Sequence, residues 1–206
     1  MKRSRRQKRA VRSPSQERAL ATVEAILEAT ARIVEREGLG ASFTCARIAR
    51  EAGVGVGSLY EYFASKDAIL IALAERHVAE VRALVDAGFE AFAALPLDEA
   101  IDRFVDALFA LHAARPKLHE RLQNEFPRHR GLEPFIESDR YLEGRLSRWL
   151  DARAPEGPCP AREARCFVAV RAVRATVIHA FAEGLDEARR AEVRVVVKGL
   201  LGHLLT

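Results

Sequence analysis

Residues 52–70 of this 206-residue chain, AGVGVGSLYEYFASKDAIL, hold three glycines within five positions, then three aromatic residues and one lysine. Glycine-rich turns often bind phosphate through free backbone amides. A Walker loop needs GxxxxGK[ST] after a strand, and a dinucleotide-binding loop needs GxGxxG between a strand and a helix. Gly53, Gly55 and Gly57 match neither spacing, and no strand pattern precedes them. The stretch is therefore not predicted to bind a nucleotide.

The same stretch fits two short helices joined by a tight turn. Gly53 can adopt the left-handed conformation that such a turn requires, and Val54 is an apolar plug within it. Leu59 and Phe63 are spaced to anchor this second short helix, the third of the chain, on the first helix of the chain, which leaves small and aromatic residues on its outer face. The pattern predicts a helix-turn-helix whose second helix is presented to the major groove of DNA, where tyrosine hydroxyls can donate to phosphate oxygens.

Lys66 lies where the next helix is predicted to begin, just after Ser65. The helix dipole disfavours a cation at this end. The position makes sense if a phosphate group lies there, bound by the free amides and the ammonium together. Asp67 beside it offers a simpler interpretation, a locally neutral helix start. We favour a contact with the phosphate backbone of DNA.

The elements that must position these residues are helical along nearly the whole chain, without strand alternation or internal repeats. Capping residues and glycines delimit the front helices, with starts at Ser13, Thr44 and Ser65 and stops at Gly38 and Gly53. A long fourth helix is predicted from Lys66 to about Leu95, before Pro96. Five more are predicted at about 98–114, 116–126, 132–152, 161–183 and 186–205, which makes an all-α chain of about nine helices.

Charge is uneven along the chain. Residues 1–12 carry seven basic side chains and no acidic one, whereas the whole chain has a net charge of +4. A short basic arm on a nearly neutral body indicates contact with a polyanion, and the alternative is a solvated tail, which can also become ordered on nucleic acid. No apolar run approaches the ~18 residues that cross a bilayer. Three cysteines without a CxxC pair are typical of a reducing cytoplasm, and we expect a cytoplasmic location without membrane contact.

The motif TxxxIAxxAGVxxGxLYxYFxSKxxxL over residues 44–70 resembles the DNA-binding signature of the TetR family of transcriptional regulators. The resemblance extends over residues 15–70 and implies that the third helix enters the major groove, with phosphates bound at Thr44, Tyr60, Tyr62 and Lys66. Gly55 departs from the family, which often has Ser or Thr there, and it receives no side-chain role. The predicted DNA-binding residues are Thr44, Val56, Gly57, Ser58, Tyr60, Glu61, Tyr62 and Lys66.

The rear half mixes aromatic and aliphatic residues with a few polar ones, as a small-molecule cavity requires. Any single aromatic residue there could simply belong to the core, but the family resemblance implies a pocket. The predicted ligand-binding residues are Phe104, Leu108, His112, Asn124, Glu125, Arg140, Tyr141 and His179. The last two helices are apolar beyond one narrow stripe, so each could face both its own core and a partner. In the family these two helices form a four-helix interface, which implies a homodimer.

Other chemistries find little support in the pattern. His112 and His119 flank Pro116 and do not share a regular helix face, no spacing matches a zinc site, and no nucleophile motif is present. Cys45 starts a helix, which can lower a thiol pKa, but a packed small residue is the simpler interpretation. We expect no metal, no cofactor and no enzymatic activity.

The sequence thus predicts a basic arm at 1–12, a helix-turn-helix DNA-binding domain at 13–65 and an effector-binding and dimerisation domain at 66–206. The predicted function is that of a repressor that binds double-stranded DNA as a dimer. A small, largely apolar effector, which the sequence does not identify, would release it from the DNA. The alternatives are a constitutive or architectural DNA-binding protein without an effector, and a helical enzyme or binding module attached to a DNA-binding front domain. Salt dependence with little sequence preference would indicate the architectural protein.

Overall fold

The computed structural model describes residues 14–124, 133–153 and 161–205. These ranges contain nine α-helices and no strand, which confirms the all-α prediction. The helices are α1 (Pro14–Glu37), α2 (Cys45–Ala52), α3 (Val56–Tyr62), α4 (Lys66–Ala91), α5 (Leu97–Ala114), α6 (Pro116–Asn124), α7 (Glu133–Asp151), α8 (Arg162–Ala182) and α9 (Glu187–Leu205). No helix among them is long and apolar enough to span a membrane.

Local capping determines where the short helices of the front domain begin and end. The hydroxyl of Thr44 accepts from the amide of Arg47 at 3.2 Å and starts α2. Gly53 ends α2 with φ of 70°, in the left-handed region where a side chain would be strained. The hydroxyl of Ser65 accepts from the amide of Ala68 at 3.1 Å and starts α4. These three predictions are confirmed, whereas Ser13 and the basic arm at 1–12 lie outside the described residues.

The front domain, α1 to α3 with the first turns of α4, shares its hydrophobic core with part of the rear domain. Apolar side chains from α1 to α4 are fully or almost fully buried together, namely Ile26, Ile33, Val34, Phe43, Ile48, Leu59, Phe63, Ile69 and Leu70. Leu118 and Leu122 of α6 and Phe135 of α7 belong to the same core. The front domain is therefore attached to the rear domain by α6 as well as by α4.

The rear domain has a second core between α5, α8 and α9. It contains Ile101, Val105, Phe109, Ala169, Val173, Val177, Val197 and Leu201. Helix α7 packs against both α4 and α8, and α6 packs against both α1 and α8. Helices α4, α5, α7, α8 and α9 thus surround a common space, which contains the cavity described below.

Helix α4 ends four residues earlier than predicted, at Ala91 instead of about Leu95. The backbone carbonyls released there accept from one side chain two residues after the end of α7. The guanidinium of Arg153 lies 2.5 Å from the oxygen of Phe92, 2.8 Å from that of Ala93 and 2.7 Å from that of Leu95. Because this contact comes from about 60 residues further along the chain, the local pattern before Pro96 did not reveal it.

Candidate DNA-binding surface and effector cavity

Helix α3 is held by its inner face and exposes its outer face. Leu59 is fully buried and Phe63, just after the helix, is nearly so. On the other side Val56, Tyr60 and Tyr62 are 43%, 53% and 39% exposed. The predicted DNA-binding residues Gly57, Ser58 and Glu61 are exposed beside them. Such a surface of small and aromatic residues on one short helix has the form of a recognition helix in a helix-turn-helix.

Two further predicted DNA contacts meet at the start of α2. The ammonium of Lys66 donates to the carbonyl of Phe43 at 3.3 Å, which brings it beside the exposed Thr44. The same ammonium lies 5.9 Å from the centroid of the Phe43 ring. Lys66 therefore links the start of α4 to the start of α2, and its other two N–H groups remain able to donate to a phosphate.

Tyr60 connects α3 to α2. Its hydroxyl is hydrogen-bonded to the thiol of Cys45, and this bond raises the pKa of Tyr60 above its ordinary value. Cys45 is partly buried and packs against the core of the front domain. Gly55, the residue before α3, provides no side-chain cap. The exposed Tyr60 of α3 thus lies beside Cys45, the first residue of α2.

Behind the front domain, five helices surround a cavity of about 150 Å³. Its wall is mostly aliphatic and aromatic, and α4 contributes His77, Val78, Val81, Val85 and Phe89 to it. Its polar lining residues are His77, His112, Ser138, Asp139 and Arg174. A mostly apolar cavity with a few polar groups is suited to a small organic molecule.

An aromatic cluster forms one side of this cavity. The ring centroids of Phe89, Phe104 and Trp149 lie 4.9 to 6.0 Å apart. The indole N–H of Trp149 donates to the backbone oxygen of Phe89 at 3.1 Å. Gly88 is required where α4 meets α5, because a Cβ there would overlap the ring of Phe104. The ring of Phe104 can therefore lie directly against the backbone of α4.

The charged groups in the cavity wall form one ion pair. A carboxylate oxygen of Asp139 lies 3.0 Å from the guanidinium of Arg174, and the Asp139 side chain is only 3% exposed. Burial raises the pKa of Asp139, and the positive charge of Arg174 opposes this rise. The negative charge on this carboxylate is thus compensated within the wall.

Three buried histidines lie where α4, α5 and α6 meet. The ring centroids of His77 and His119 are 4.3 Å apart, those of His112 and His119 are 4.6 Å apart, and those of His77 and His112 are 5.9 Å apart. Burial lowers the pKa of His77 to about 4 and that of His119 to about 2, and it also lowers the pKa of His112. All three imidazoles are therefore neutral at neutral pH. Among the described residues, no group of three or more His, Cys, Asp or Glu side chains has the arrangement that a metal ion needs.

The histidine cluster is the part of the site that sequence reasoning missed. His112 and His119 do not share a helix face, as expected, but the chain turns between α5 and α6 and brings their rings together. His77 lies on the inner face of α4, a position that the apolar periodicity does indicate. Its closeness to the other two histidines depends on tertiary packing, for which the sequence carries no local signal.

The predicted ligand-binding residues are distributed unevenly around the cavity. Phe104, Leu108 and His112 line it. Three others lie elsewhere: Arg140 is exposed, the hydroxyl of Tyr141 donates to Asp86 at 2.5 Å, and the side chain of His179 is 67% exposed, 3.9 Å from Glu183. The backbone of Asn124 ends α6, but its side chain and the whole of Glu125 lie outside the described residues.

A second, polar cavity of about 140 Å³ lies between the first cavity and α1. His77 and His119 line it, together with charged residues from α1, α4 and the corner between α5 and α6. At this corner the guanidinium of Arg115 lies 3.1 Å from Glu28 and 3.1 Å from Glu35, both on α1. Arg121 of α6 also donates to the carbonyl of Val34. The corner is thus bound to the first helix of the front domain.

A surface on α8 and α9 exposes large apolar side chains. Phe167 and Val168 of α8 are 49% and 47% exposed. Val195, Val196 and Leu200 of α9 are 69%, 71% and 44% exposed. We call these five residues the apolar surface. Exposed apolar residues grouped on adjacent helices are typical of a surface that binds another protein.

Comparisons with known proteins agree with this architecture. Residues 26–73 match the family model of bacterial regulatory proteins of the tetR family, and residues 96–204 match the model of the tetracyclin repressor-like C-terminal domain. No curated protein sequence is significantly similar to the chain.

Similar solved structures cover nearly the whole chain. A TetR-family transcriptional regulator from Streptomyces coelicolor is 20% identical, with 95% of each chain covered and a TM-score of 0.68. The fatty acid degradation regulator FadR from Bacillus halodurans is 19% identical, with 95% of this chain and 96% of that chain covered and a TM-score of 0.61. The multidrug binding protein EbrR, solved in complex with imidazole, is 19% identical, with 86% and 93% covered and a TM-score of 0.62. At these identities the likeness establishes the fold.

Proposed function

Because the chain belongs to the TetR family of bacterial transcriptional regulators, whose members are DNA-binding transcription factors and not enzymes, we propose that it is an effector-released repressor. In this proposal it acts in the cytoplasm, as is typical of the family, and binds an inverted-repeat operator as a homodimer. The observation that carries the proposal is the course of α4. This helix begins with Lys66 at the DNA-binding surface and then lines the cavity from His77 to Phe89.

The DNA-binding part of the proposal is supported by the exposed face of α3 and by the position of Lys66. Glycine and serine at the start of α3 allow its backbone to approach the bases, while Tyr60 and Tyr62 can donate to flanking phosphates. Thr44 and Lys66 lie together beside Phe43 and can bind one stretch of the DNA backbone. The basic arm at 1–12 would add contacts that are independent of base sequence.

The homodimer is supported by the apolar surface on α8 and α9. Each of these helices also buries side chains in its own domain, including Val177 of α8 and Leu201 of α9. Two copies joined through these helices would form a four-helix interface with a two-fold axis. Two recognition helices related by that axis would read half-sites roughly 34–36 Å apart, one turn of DNA, or a little more.

The effector part of the proposal is supported by the apolar cavity. Two of the similar structures are named for a fatty acid degradation regulator and a multidrug binding protein, which agrees with a small organic effector. A molecule that enlarges the cavity would push on α4, whose first residue is Lys66, and on the histidines beside α6. Since α6 and its corner are bonded to α1 through Arg115 and Arg121, both connections to the front domain would move. The two recognition helices would then no longer match consecutive major grooves.

The experiment that tests this function is selection of DNA sites from a random pool by the purified full chain, followed by challenge of the complex with a library of small apolar compounds. We expect an inverted-repeat site and at least one compound that releases the protein from it. Uniform affinity for all sequences would contradict the repressor and favour an architectural protein. A selected site from which no compound releases the protein would favour a constitutive DNA-binding protein.

A further inference from the structure

We propose that His77 and His112 form the polar end of the effector cavity and that the effector is an uncharged, single-ring phenol whose hydroxyl binds between them. This inference rests on the proposed function, since it names the class of effector for the same cavity. It is carried by the hydrogen bonding of the two imidazoles, the compensated charge of the wall and the size of the cavity.

The hydrogen bonding of His112 calls for a ligand that donates a proton. Its Nδ1 lies 2.9 Å from the carbonyl oxygen of Leu108. Only an N–H at Nδ1 can donate to that carbonyl, so the neutral ring carries its proton there and Nε2 is an acceptor. A hydroxyl can donate to this nitrogen, whereas a carboxylate or an ether oxygen cannot.

His77 provides the second half of the contact. It lines both cavities and is 5% exposed, and its imidazole forms no hydrogen bond with another described residue. A buried polar nitrogen without a partner is unfavourable, so a group that completes its bonding would be bound preferentially. A hydroxyl both donates and accepts, and one hydroxyl can therefore interact with His112 and His77 together.

The charges of the wall favour a neutral molecule. Burial keeps the imidazoles uncharged, as their lowered pKa values indicate. Asp139 and Arg174 are paired at 3.0 Å, so a cationic effector would compete with Arg174 for the carboxylate and an anionic one would compete with Asp139 for the guanidinium. Either charged molecule would also lose its hydration on entering the cavity.

The size and shape of the cavity favour one aromatic ring. A cavity of about 150 Å³ is large enough for a benzene-sized molecule. Phe89, Phe104 and Trp149 are inclined to one another and offer ring faces and edges to an aromatic ligand. The indole N–H of Trp149 is already bonded to the carbonyl of Phe89, so it does not compete with the histidines for a polar group at the ring.

The test compares three matched probes on the full chain: 4-ethylphenol, ethylbenzene and 4-ethylbenzoate. Trp149 is the only tryptophan of the sequence and lines the cavity, so its fluorescence, excited at the red edge where phenols absorb little, reports binding there. At neutral pH we expect 4-ethylphenol to bind about tenfold more tightly than ethylbenzene, the effect of one net hydrogen bond. We expect 4-ethylbenzoate to bind more weakly than both.

Variants locate the hydroxyl contact. His77→Phe and His112→Phe should each reduce the preference for 4-ethylphenol to about twofold or less, because phenylalanine keeps the ring but offers no nitrogen. His203→Phe, which changes an exposed histidine of α9, is the matched control and should keep the preference. Circular dichroism verifies that each variant is folded, and the three-probe comparison on the wild-type chain tests the proposal even if a variant does not fold.

Several results would contradict this inference but not the proposed function. These are equal affinities for 4-ethylphenol and ethylbenzene, tightest binding of 4-ethylbenzoate, no response of Trp149 to any probe, or an unchanged preference in both folded cavity variants. Binding of the same protein samples to the selected operator is measured in parallel. Specific operator binding together with one of these results rejects the phenol alone, whereas loss of specific DNA binding rejects the proposed function.

Discussion

Lys66 joins two parts of the proposed DNA-binding surface. Its side chain donates to the carbonyl of Phe43, so the ammonium lies beside Thr44 at the start of α2 and not in open solvent. This contact and the nearby Asp67 could also make Lys66 a purely structural residue at a helix start. The two roles differ in how DNA affinity responds to salt, because only a phosphate contact releases counterions.

We expect Lys66→Ala to weaken binding to all DNA sequences alike. One lost phosphate contact should reduce the slope of log affinity against log salt concentration by about one unit. The measurement is fluorescence anisotropy with the selected operator and with unrelated DNA across a salt series.

Lys117→Ala is the matched control for this variant, since it removes an exposed lysine from α6 in the rear domain. Its salt slope should equal that of the wild-type chain. An altered base preference in Lys66→Ala with an unchanged slope would contradict the role we give to Lys66.

Residues with local signals could be predicted from the sequence, and those with distant partners could not. Thr44, Gly53 and Ser65 act on the backbone within a few positions, so their roles as caps follow from residue type and spacing. His77 and His119 lie side by side only because their helices meet in the folded chain, and no local pattern indicates this contact. The contact between Lys66 and Phe43 spans 23 positions and likewise has no local signature.

Among the elements, α8 and α9 are proposed to form the dimer interface. Val196→Glu should convert the dimer into a monomer, because the interface would bury two carboxylates, one from each copy, against apolar side chains. The expected cost is about 3 kcal/mol or more, which corresponds to roughly a hundredfold weaker dimer. Sedimentation at micromolar concentration measures the change, and operator affinity should fall with it.

Ala83→Glu is the control, because it adds the same charge at an exposed position of α4 outside the apolar surface. This variant should remain a dimer. A wild-type chain that is monomeric at micromolar concentration and still binds its operator specifically would refute the proposed interface.

A second prediction concerns the corner between α5 and α6, where Arg115 forms ion pairs with α1. Arg115→Gln removes both ion pairs to α1, with Glu28 and Glu35, and should weaken transmission from the cavity to the front domain. We expect a releasing compound to bind the free protein within twofold of its wild-type affinity, while its effect on operator affinity falls at least threefold. Calorimetry gives the first quantity and anisotropy the second.

Arg103→Gln makes the same substitution within α5 and breaks a more exposed ion pair to Glu99, on the same helix and not on α1. Release should be unchanged in this control. Unchanged release in Arg115→Gln as well would contradict a role of these two ion pairs in transmitting the signal.

At the scale of elements, the sequence predicted the number and approximate bounds of the helices because each has its own periodicity and ends. It missed the early end of α4, since the carbonyls there are bonded by Arg153, two residues after the end of α7. It also missed the closed arrangement of α4, α5 and α6 around the histidines. Such arrangements depend on how helices cross, which one-dimensional periodicity does not specify.

For the whole molecule, the buried histidines predict how stability depends on pH. The folded-state pKa of His77, about 4, lies below its ordinary value of 6.5. Between these values the unfolded chain binds a proton at His77 that the folded chain does not. The contribution of His77 to the free energy of unfolding is therefore fully present above pH 6.5 and is lost as the pH falls toward 4. His77 should account for about 3 kcal/mol of this loss.

Urea unfolding of wild type and His77→Phe across this pH range, at one protein concentration, measures the effect. The variant should lose less stability on acidification, whereas the exposed-site control His203→Phe should follow the wild type. Subtracting the two curves removes the common contribution of the other charged or titratable groups near His77, which are Glu24, Glu28, Arg76, Glu80, Arg115, His112 and His119. Parallel curves for wild type and His77→Phe would contradict the buried, neutral state of His77.

The most direct test of an effector-released repressor is the affinity of one releasing compound for the free protein and for the protein bound to its selected operator. Binding free energies are reciprocal, so a compound that weakens operator binding must itself bind the DNA complex more weakly by the same factor. We expect calorimetry to give a factor of about 5 to 150, equal to the loss of operator affinity measured separately. Equal affinity of the compound for free and operator-bound protein would contradict release by coupling between the cavity and the DNA-binding surface.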